Sequence, residues 1–269
     1  MPPSPLLLLG GTGRVARLLK AAGLSGPGVF WLPHRQLDSL PPLPACATLV
    51  ALWGRTGNAG PLRDNARLAL RAQALAQRHG LRRVIHLSSA AVYGTLPAGR
   101  CHEGAAQPQS RYGQSKWLME QALAQWQRRH RAGPECCILR LGNVAGADSL
   151  APALADPAAD DPVRLDRFAD GRGPRRSYLG ANDLARMLLW LARPDVPCPP
   201  CLNVAGPRPV AMEALLQAAG RHIAWHPAPP DALPEVALDG HRLARLFGTL
   251  EDSGTAEGLL AQIRLKAPA

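Results

Sequence analysis

The sequence predicts an α/β fold, a doubly wound parallel sheet with a small, mixed C-terminal lobe. Three observations carry that prediction. Short apolar runs alternate with amphipathic stretches through the first half, the pattern of strands joined by helical crossovers. A glycine-rich turn, Gly10-Gly11-Thr12-Gly13, separates the first apolar run from the first helix. Beyond about residue 145 the chain turns proline-rich and irregular, as expected of a smaller lobe packed over one edge of the sheet. A length of 269 residues suits this plan and can bury a sizeable core.

The elements follow in order. Pro5 to Gly10 reads as a strand and Arg14 to Ala22 as a helix, and Gly28 to Leu32 and Thr48 to Trp53 are further strands bounded by Pro and Gly. Leu62 to His79 carries Leu68, Leu75 and small alanines at helical spacing. Arg83 to Leu87 is a strand ending in Ser88-Ser89, Tyr112 to Arg131 a helix, Cys136 to Leu141 a strand and Asn182 to Ala192 a helix. Only fifteen residues, Pro33 to Ala47, lie between the second and third strands, and four of them are Pro. A full helical crossover hardly fits there, so an abbreviated connection is expected. The expected division is residues 1–145 and 146–269, with 181–206 returning to the first unit.

Composition narrows the class. The formal net charge is +11, but only Lys20, Lys116 and Lys266 among the 31 basic residues are lysine. Arginines scattered along a chain with few aromatics argue against a nucleic-acid partner. The early apolar run Leu6 to Leu9 is too short to span a bilayer, and no positively charged leader precedes it. Six cysteines are few for the length, and Cys198-Pro-Pro-Cys201 lacks the second pair or histidine cluster of a zinc site. A reduced, cytoplasmic protein without a metal is the expectation.

The glycine-rich turn is the first functional motif. Gly10 permits a tight turn, Gly13 lets a pyrophosphate approach the backbone N–H groups of the helix, and Thr12, Arg14 and Val15 complete the contact stretch. This makes the sheet Rossmann-like and residues 1–145 a dinucleotide-binding domain. The second strand ends Val29-Phe30-Trp31-Leu32-Pro33-His34-Arg35, without the acid that holds an NAD ribose. NADP is therefore favoured over NAD, with Arg35, or Arg14, placed to meet a 2′-phosphate.

Tyr112 and Lys116 stand four apart on a helix and share a face. A neighbouring ammonium favours phenolate and lowers the tyrosine pKa, which suits a general acid/base for alcohol and ketone interconversion. Ser88-Ser89-Ala90-Ala91-Val92-Tyr93-Gly94 follows the fourth strand, at the edge where open α/β sheets bind ligands.

With these residues the chain resembles the extended short-chain dehydrogenase/reductase family, in its NAD-dependent epimerase/dehydratase branch. The likeness covers Gly10–Ala16, Asn65, Ser88–Gly94, Glu103, Tyr112–Glu120, Arg140–Gly146, Arg176–Ala185 and Leu202–Gly206. It implies that Ser89 bonds the reacting oxygen, that Tyr112 is the acid/base, and that Lys116 holds the nicotinamide ribose while tuning the tyrosine. Ser88 then lies beside the cofactor. It also implies that Asn143 and Arg176 contact a substrate diphosphate, with Tyr93 either lining the pocket or buried after the strand, and that residues 146–269 bind a small-molecule substrate, a sugar nucleotide in many members. Dehydratases of the family carry an acidic pair after the Ser/Thr; Ala90 and Ala91 stand there instead. No Cys follows Ser89 either, so 4-epimerisation and carbonyl reduction remain. The chain is shorter than typical sugar-nucleotide epimerases, which leaves the nucleotide part of the substrate open. A non-catalytic NAD(P)-binding sensor or scaffold is the alternative, although such proteins typically lose the Tyr/Lys pair. Trp117, Leu118 and Met119 give the catalytic helix apolar surface for a homodimer.

Overall fold

The structure, a computed structural model, describes residues 5–32, 47–57, 60–97, 101–155 and 161–264. The first half alternates as expected: β1 (Leu6–Leu9), α1 (Arg14–Ala21), β2 (Val29–Leu32), β3 (Thr48–Ala51), α2 (Asp64–Arg78), β4 (Arg83–Ser89), α3 (Arg111–Arg129) and β5 (Glu135–Leu141). The proposed short connection after β2 falls on residues 33–46, outside the described residues. Every residue of β1 and β3 is buried, as required of parallel strands covered on both faces.

The second half is built from shorter pieces. They are β6 (Asn143–Val144), α4 (Ala151–Ala155), β7 (Val163–Arg167), β8 (Arg175–Arg176), β9 (Tyr178–Leu179), α5 (Ala181–Ala192) and β10 (Cys201–Val204). Then come β11 (Val210–Ala211), α6 (Met212–Ala218), β12 (Ile223–Pro227), β13 (Glu235–Val236), α7 (His241–Leu246) and α8 (Ala256–Arg264). Several of these strands are two residues long, too short to leave any periodicity in the sequence.

The main sheet has six parallel strands in the order β10-β5-β4-β3-β1-β2. Residues of α1 and α5 pack on one face, around Leu19, Leu184 and Leu188. Those of α2 and α3 pack on the other, around Ala72, Leu75 and Leu123. The chain winds outward from β1 to β2 and then restarts at β3, so strand order reverses between β1 and β3. Ligands bind at the C-terminal ends of strands at such a switch point. The second core, with Tyr178, Leu215 and Leu259, belongs to the smaller lobe, whose strands form the separate sets β11-β8-β13 and β12-β7.

The Cys198/Cys201 spacing does not join two thiols. Cys201 opens β10 and packs with Cys136 on the α2/α3 face. Cys198 packs on the opposite face, with its thiol in hydrogen-bonding reach of Cys137. Among the described residues no helix is long and apolar enough to cross a membrane.

Candidate active site

The glycine-rich turn closes where β1 ends. Gly10 has φ +96°, and a Cβ there would lie 2.7 Å from the Trp53 amide nitrogen, so only glycine fits this backbone beside β3. Gly13 is different. It is the N-cap of α1 in extended conformation, with no side-chain cap and no acid in the first helical turn. A Cβ at Gly13 would meet nothing nearer than 3.9 Å. Its lack of a side chain therefore serves nothing in the fold and leaves room for a ligand. Thr12, Gly13 and Arg14 are exposed around this uncapped N-terminus, and its N–H groups fit an anionic phosphate. Lys20 reaches back along α1, donating to the Gly11 carbonyl at 2.9 Å with its ammonium 4.5 Å from the Trp31 ring centre. Arg35 lies outside the described residues.

A cavity of about 490 Å³ lies along the strand ends and meets α1 at Val15. Val15, Trp53 and Gly54 line one end, while Ser88, Ser89, Tyr112 and Lys116 form one wall and Asn143 and Asp148 the other. A pyrophosphate at α1 would place the rest of a dinucleotide along this cavity.

The first wall is set by a close helix approach. Ser110 caps α3 by accepting from the Gly113 amide at 3.0 Å. Any Cβ at Gly113 would collide with the Ala91 carbonyl oxygen, so glycine lets α3 press against the turn that follows Ser89. Tyr112 is thereby brought into hydrogen-bonding contact with Ser89, whose Oγ also accepts from the Ala91 amide at 3.2 Å. Lys116, one turn on, is buried and donates to the Leu87 carbonyl at 2.8 Å.

Electrostatics here differ from the sequence expectation. Burial pushes the Tyr112 phenol above its ordinary value, and the Ser89 hydrogen bond only partly offsets this. Lys116 does not dominate, because its ammonium lies 5.9 Å from the phenol ring centre and is bound to the Leu87 carbonyl. Lys116 is itself pulled down to about 8 by burial, against the opposing pull of Glu120. Tyr112 is thus a phenol near neutral pH.

Asn65 on α2 braces this wall. Its side chain pairs with both backbone groups of Arg55, at 2.9 and 3.2 Å, and donates to Ser115 Oγ at 2.9 Å. The loop Trp53–Gly57 is tied in this way to α3 beside Lys116.

Behind the wall lies a buried polar network whose partners the sequence reading did not anticipate. Glu120 accepts from Arg140 at 2.7 Å and from Ser88 Oγ at 2.5 Å, with both members of the ion pair almost fully buried. Arg140 also donates to Tyr93 Oη at 3.0 Å and to the carbonyls of Glu103 and Ala105. Tyr93 donates to Asn203 Oδ1 at 2.6 Å and is wholly buried. It does not line the cavity, because its hydroxyl satisfies this network. Ser88 likewise directs its hydroxyl inward. The signal available beforehand was the Arg140 of a strand and the Glu120 of a helix, both in otherwise apolar surroundings.

On the second wall, Asn143 Nδ2 donates to Asp148 Oδ2 at 3.3 Å and Tyr178 Oη donates to the same oxygen at 2.8 Å. Arg176 is not brought to this cavity. It sits in β8, half-buried, with Nη1 donating to the Arg175 carbonyl at 2.8 Å, because β8 pairs into the outer sheet. Of the apolar run on α3, Met119 is buried and Trp117 packs on the Tyr93 cluster, leaving Leu118 40% exposed.

A family model described as NAD dependent epimerase/dehydratase family matches residues 46–205. No curated protein sequence matches. Among solved structures, a UDP-glucose 4-epimerase of Thermus thermophilus, in complex with NAD, aligns over 97% of this chain and 99% of its own, at 19% identity and TM-score 0.74. A UDP-N-acetylglucosamine 4-epimerase of Methanobrevibacter ruminantium, in complex with UDP-N-acetylmuramic acid, aligns over 98% and 99%, at 16% identity and TM-score 0.76. DesIV, a dTDP-glucose 4,6-dehydratase of Streptomyces venezuelae with NAD and TYD bound, aligns over 97% and 96%, at 17% identity and TM-score 0.74. At these identities the likeness shows the fold.

Proposed function

The chain belongs to the NAD-dependent epimerase/dehydratase family, and from that premise we propose that it is an enzyme transferring hydride at a hydroxyl/keto carbon, with Tyr112 as the acid/base. The observation that carries this reading is the Ser89–Tyr112 contact on a cavity that the first turn of α1 also lines, through Val15. A bound nicotinamide supplies hydride acceptance and donation there. The residues Gly10, Thr12, Gly13, Arg14 and Val15 would hold the phosphates of the dinucleotide, and Lys116 would face its ribose. Ser89 donates to the substrate oxygen and orients it toward Tyr112 Oη. Tyr112 gives its proton to that oxygen as the carbonyl is reduced, or takes it in the reverse direction. Reduction with release of product and 4-epimerisation with a retained cofactor use the same groups.

NAD is the cofactor proposed, since it accompanies two of the solved neighbours. The preference for NADP expected from the missing acid is not supported: Arg35 lies outside the described residues, and these neighbours hold NAD. Titration with both cofactors followed by thermal shift decides this. The absence of a carboxylate at Ala90 and Ala91 speaks against dehydration at those positions. A homodimer through α2 and α3 belongs to the same proposal, resting on exposed Leu118, and light scattering measures it. The activity itself is tested with Tyr112→Phe: cofactor binding is retained and turnover lost, and unchanged turnover would remove Tyr112 from the reaction.

A further inference from the structure

Two thiols meet where β5 and β10 begin, at the edge of the sheet away from the cavity of Tyr112. Cys137, the third residue of β5, is wholly buried on the α1/α5 face. Cys198 packs on the same core from the segment leading into β10 and stays partly exposed. The two side chains are hydrogen bonded. Backbone anchors on both sides hold Cys198 in place. Arg83, buried on β4, donates to the carbonyls of Leu191 and Val196, the latter at 2.9 Å. The Pro200 carbonyl accepts from the Ile138 amide at 3.1 Å.

The two thiols are not equivalent. The Cys198 hydrogen bond and burial push Cys137 well above its ordinary value, so it keeps its proton. Cys198 is pulled down, first by that hydrogen bond and then by Arg83 and Arg82, against burial and Glu135. A sulfur that accepts a hydrogen bond beside guanidinium groups is the nucleophile of such a pair. Cys136 and Cys201, on the opposite face, do not repeat this, since burial pushes each up to about 12.

Cys198 is also reachable. It lines a cavity of about 570 Å³ with Glu103, Asp239, His241, Arg242 and Arg245. Glu103 accepts from the Asn203 amide and Asp239 from His241. Neither arginine has a hydrogen-bond partner among the described residues. The uncommitted charge beside the sulfur is therefore positive.

We propose that Cys198 and Cys137 form a dithiol site that exchanges with small disulfides carrying carboxylates, Cys198 attacking and Cys137 resolving. The Cys198 sulfur bonds to one sulfur of the small disulfide and expels the other as a thiolate. Cys137 then loses its proton and bonds to the Cys198 sulfur, expelling the second thiolate. The pair gives up two electrons and becomes a Cys137–Cys198 disulfide. The small disulfide takes up those electrons, and the two protons, as two thiols. Nothing in this step depends on the hydride-transfer reading.

The test treats the reduced full chain with glutathione disulfide, alkylates the remaining thiols under denaturing conditions and maps the products by mass spectrometry. Wild type is expected to lose two hydrogens and to yield a peptide pair linked through Cys137 and Cys198. Cys137→Ala stops at a glutathione adduct on Cys198. No link in wild type, or a link between other cysteines, overturns the proposal, as does a Cys137→Ala protein that melts near wild type and carries no adduct on Cys198. If Cys137→Ala melts well below wild type, timed alkylation of the native wild type with iodoacetamide decides the roles. Cys198 is then modified about ten-fold faster than Cys101, Cys136 or Cys201, and equal rates overturn its place as the attacking thiol.

Discussion

The two walls of the cavity are made differently. Ser89, Tyr112 and Lys116 sit at the end of one strand and on one long helix, braced by a buried ion pair behind them. Asn143 and Asp148 sit on a two-residue strand and the turn after it, held by a tyrosine thirty residues away. The first wall is carried by the main sheet and its covering helix. The second rests on three side chains from short elements. The two walls thus differ in how firmly they are held.

That contrast can be broken in graded steps. Tyr112→Phe has the largest expected effect, a loss of about 10²–10⁴-fold in kcat with cofactor affinity kept, measured by steady-state kinetics beside NAD titration. Arg140→Leu comes next. It strands Glu120 without its cation, and breaking a buried pair from one side costs about 3–5 kcal/mol, read by urea denaturation. Tyr178→Phe removes one donor from Asp148 on the other wall and costs about 1–3 kcal/mol. If the two denaturation losses were equal, the walls would not differ in rigidity as described.

A further test is a pH dependence. His86, buried in β4 beneath the first wall, is held down at about 3 by burial and then by Lys116, against an ordinary 6.5. The unfolded chain therefore takes up a proton on this histidine between pH 6.5 and 3 while the folded chain does not. Its contribution is present above pH 6.5 and lost as pH falls toward 3. In His86→Leu, the acid limb of a stability-against-pH curve over that window becomes shallower; an unchanged limb would show that His86 is not neutral in the fold.

The sequence was readable where chemistry follows local spacing. Gly10 and Gly13 lie in one turn, and Tyr112 and Lys116 on one helix face, so three or four residues of context suffice. The alternation of strands and helices is equally local. Asp148 has no such context: it is an acid in a proline-rich stretch until Tyr178 and Asn143 close on it. An acid five residues beyond Asn143, just past a strand's C-terminal edge, was the one available hint. Tyr93 stayed open between pocket and core for the same reason, because its burial depends on Asn203 and Arg140, far along the chain. The cysteine spacing by itself joins nothing, because spacing does not say which face of the sheet a side chain takes. Successive strand residues point to opposite faces, which is why adjacent Cys136 and Cys137 separate Cys201 from Cys198.

The formal net charge of +11 gives the whole molecule a positive long-range field. An ammonium-bearing substrate would approach against that field, so added salt should speed its capture. A neutral polyol should be indifferent to salt, and a phosphorylated compound should be captured more slowly as salt rises. The ionic-strength dependence of kcat/KM therefore reports the charge of the substrate before its structure is known.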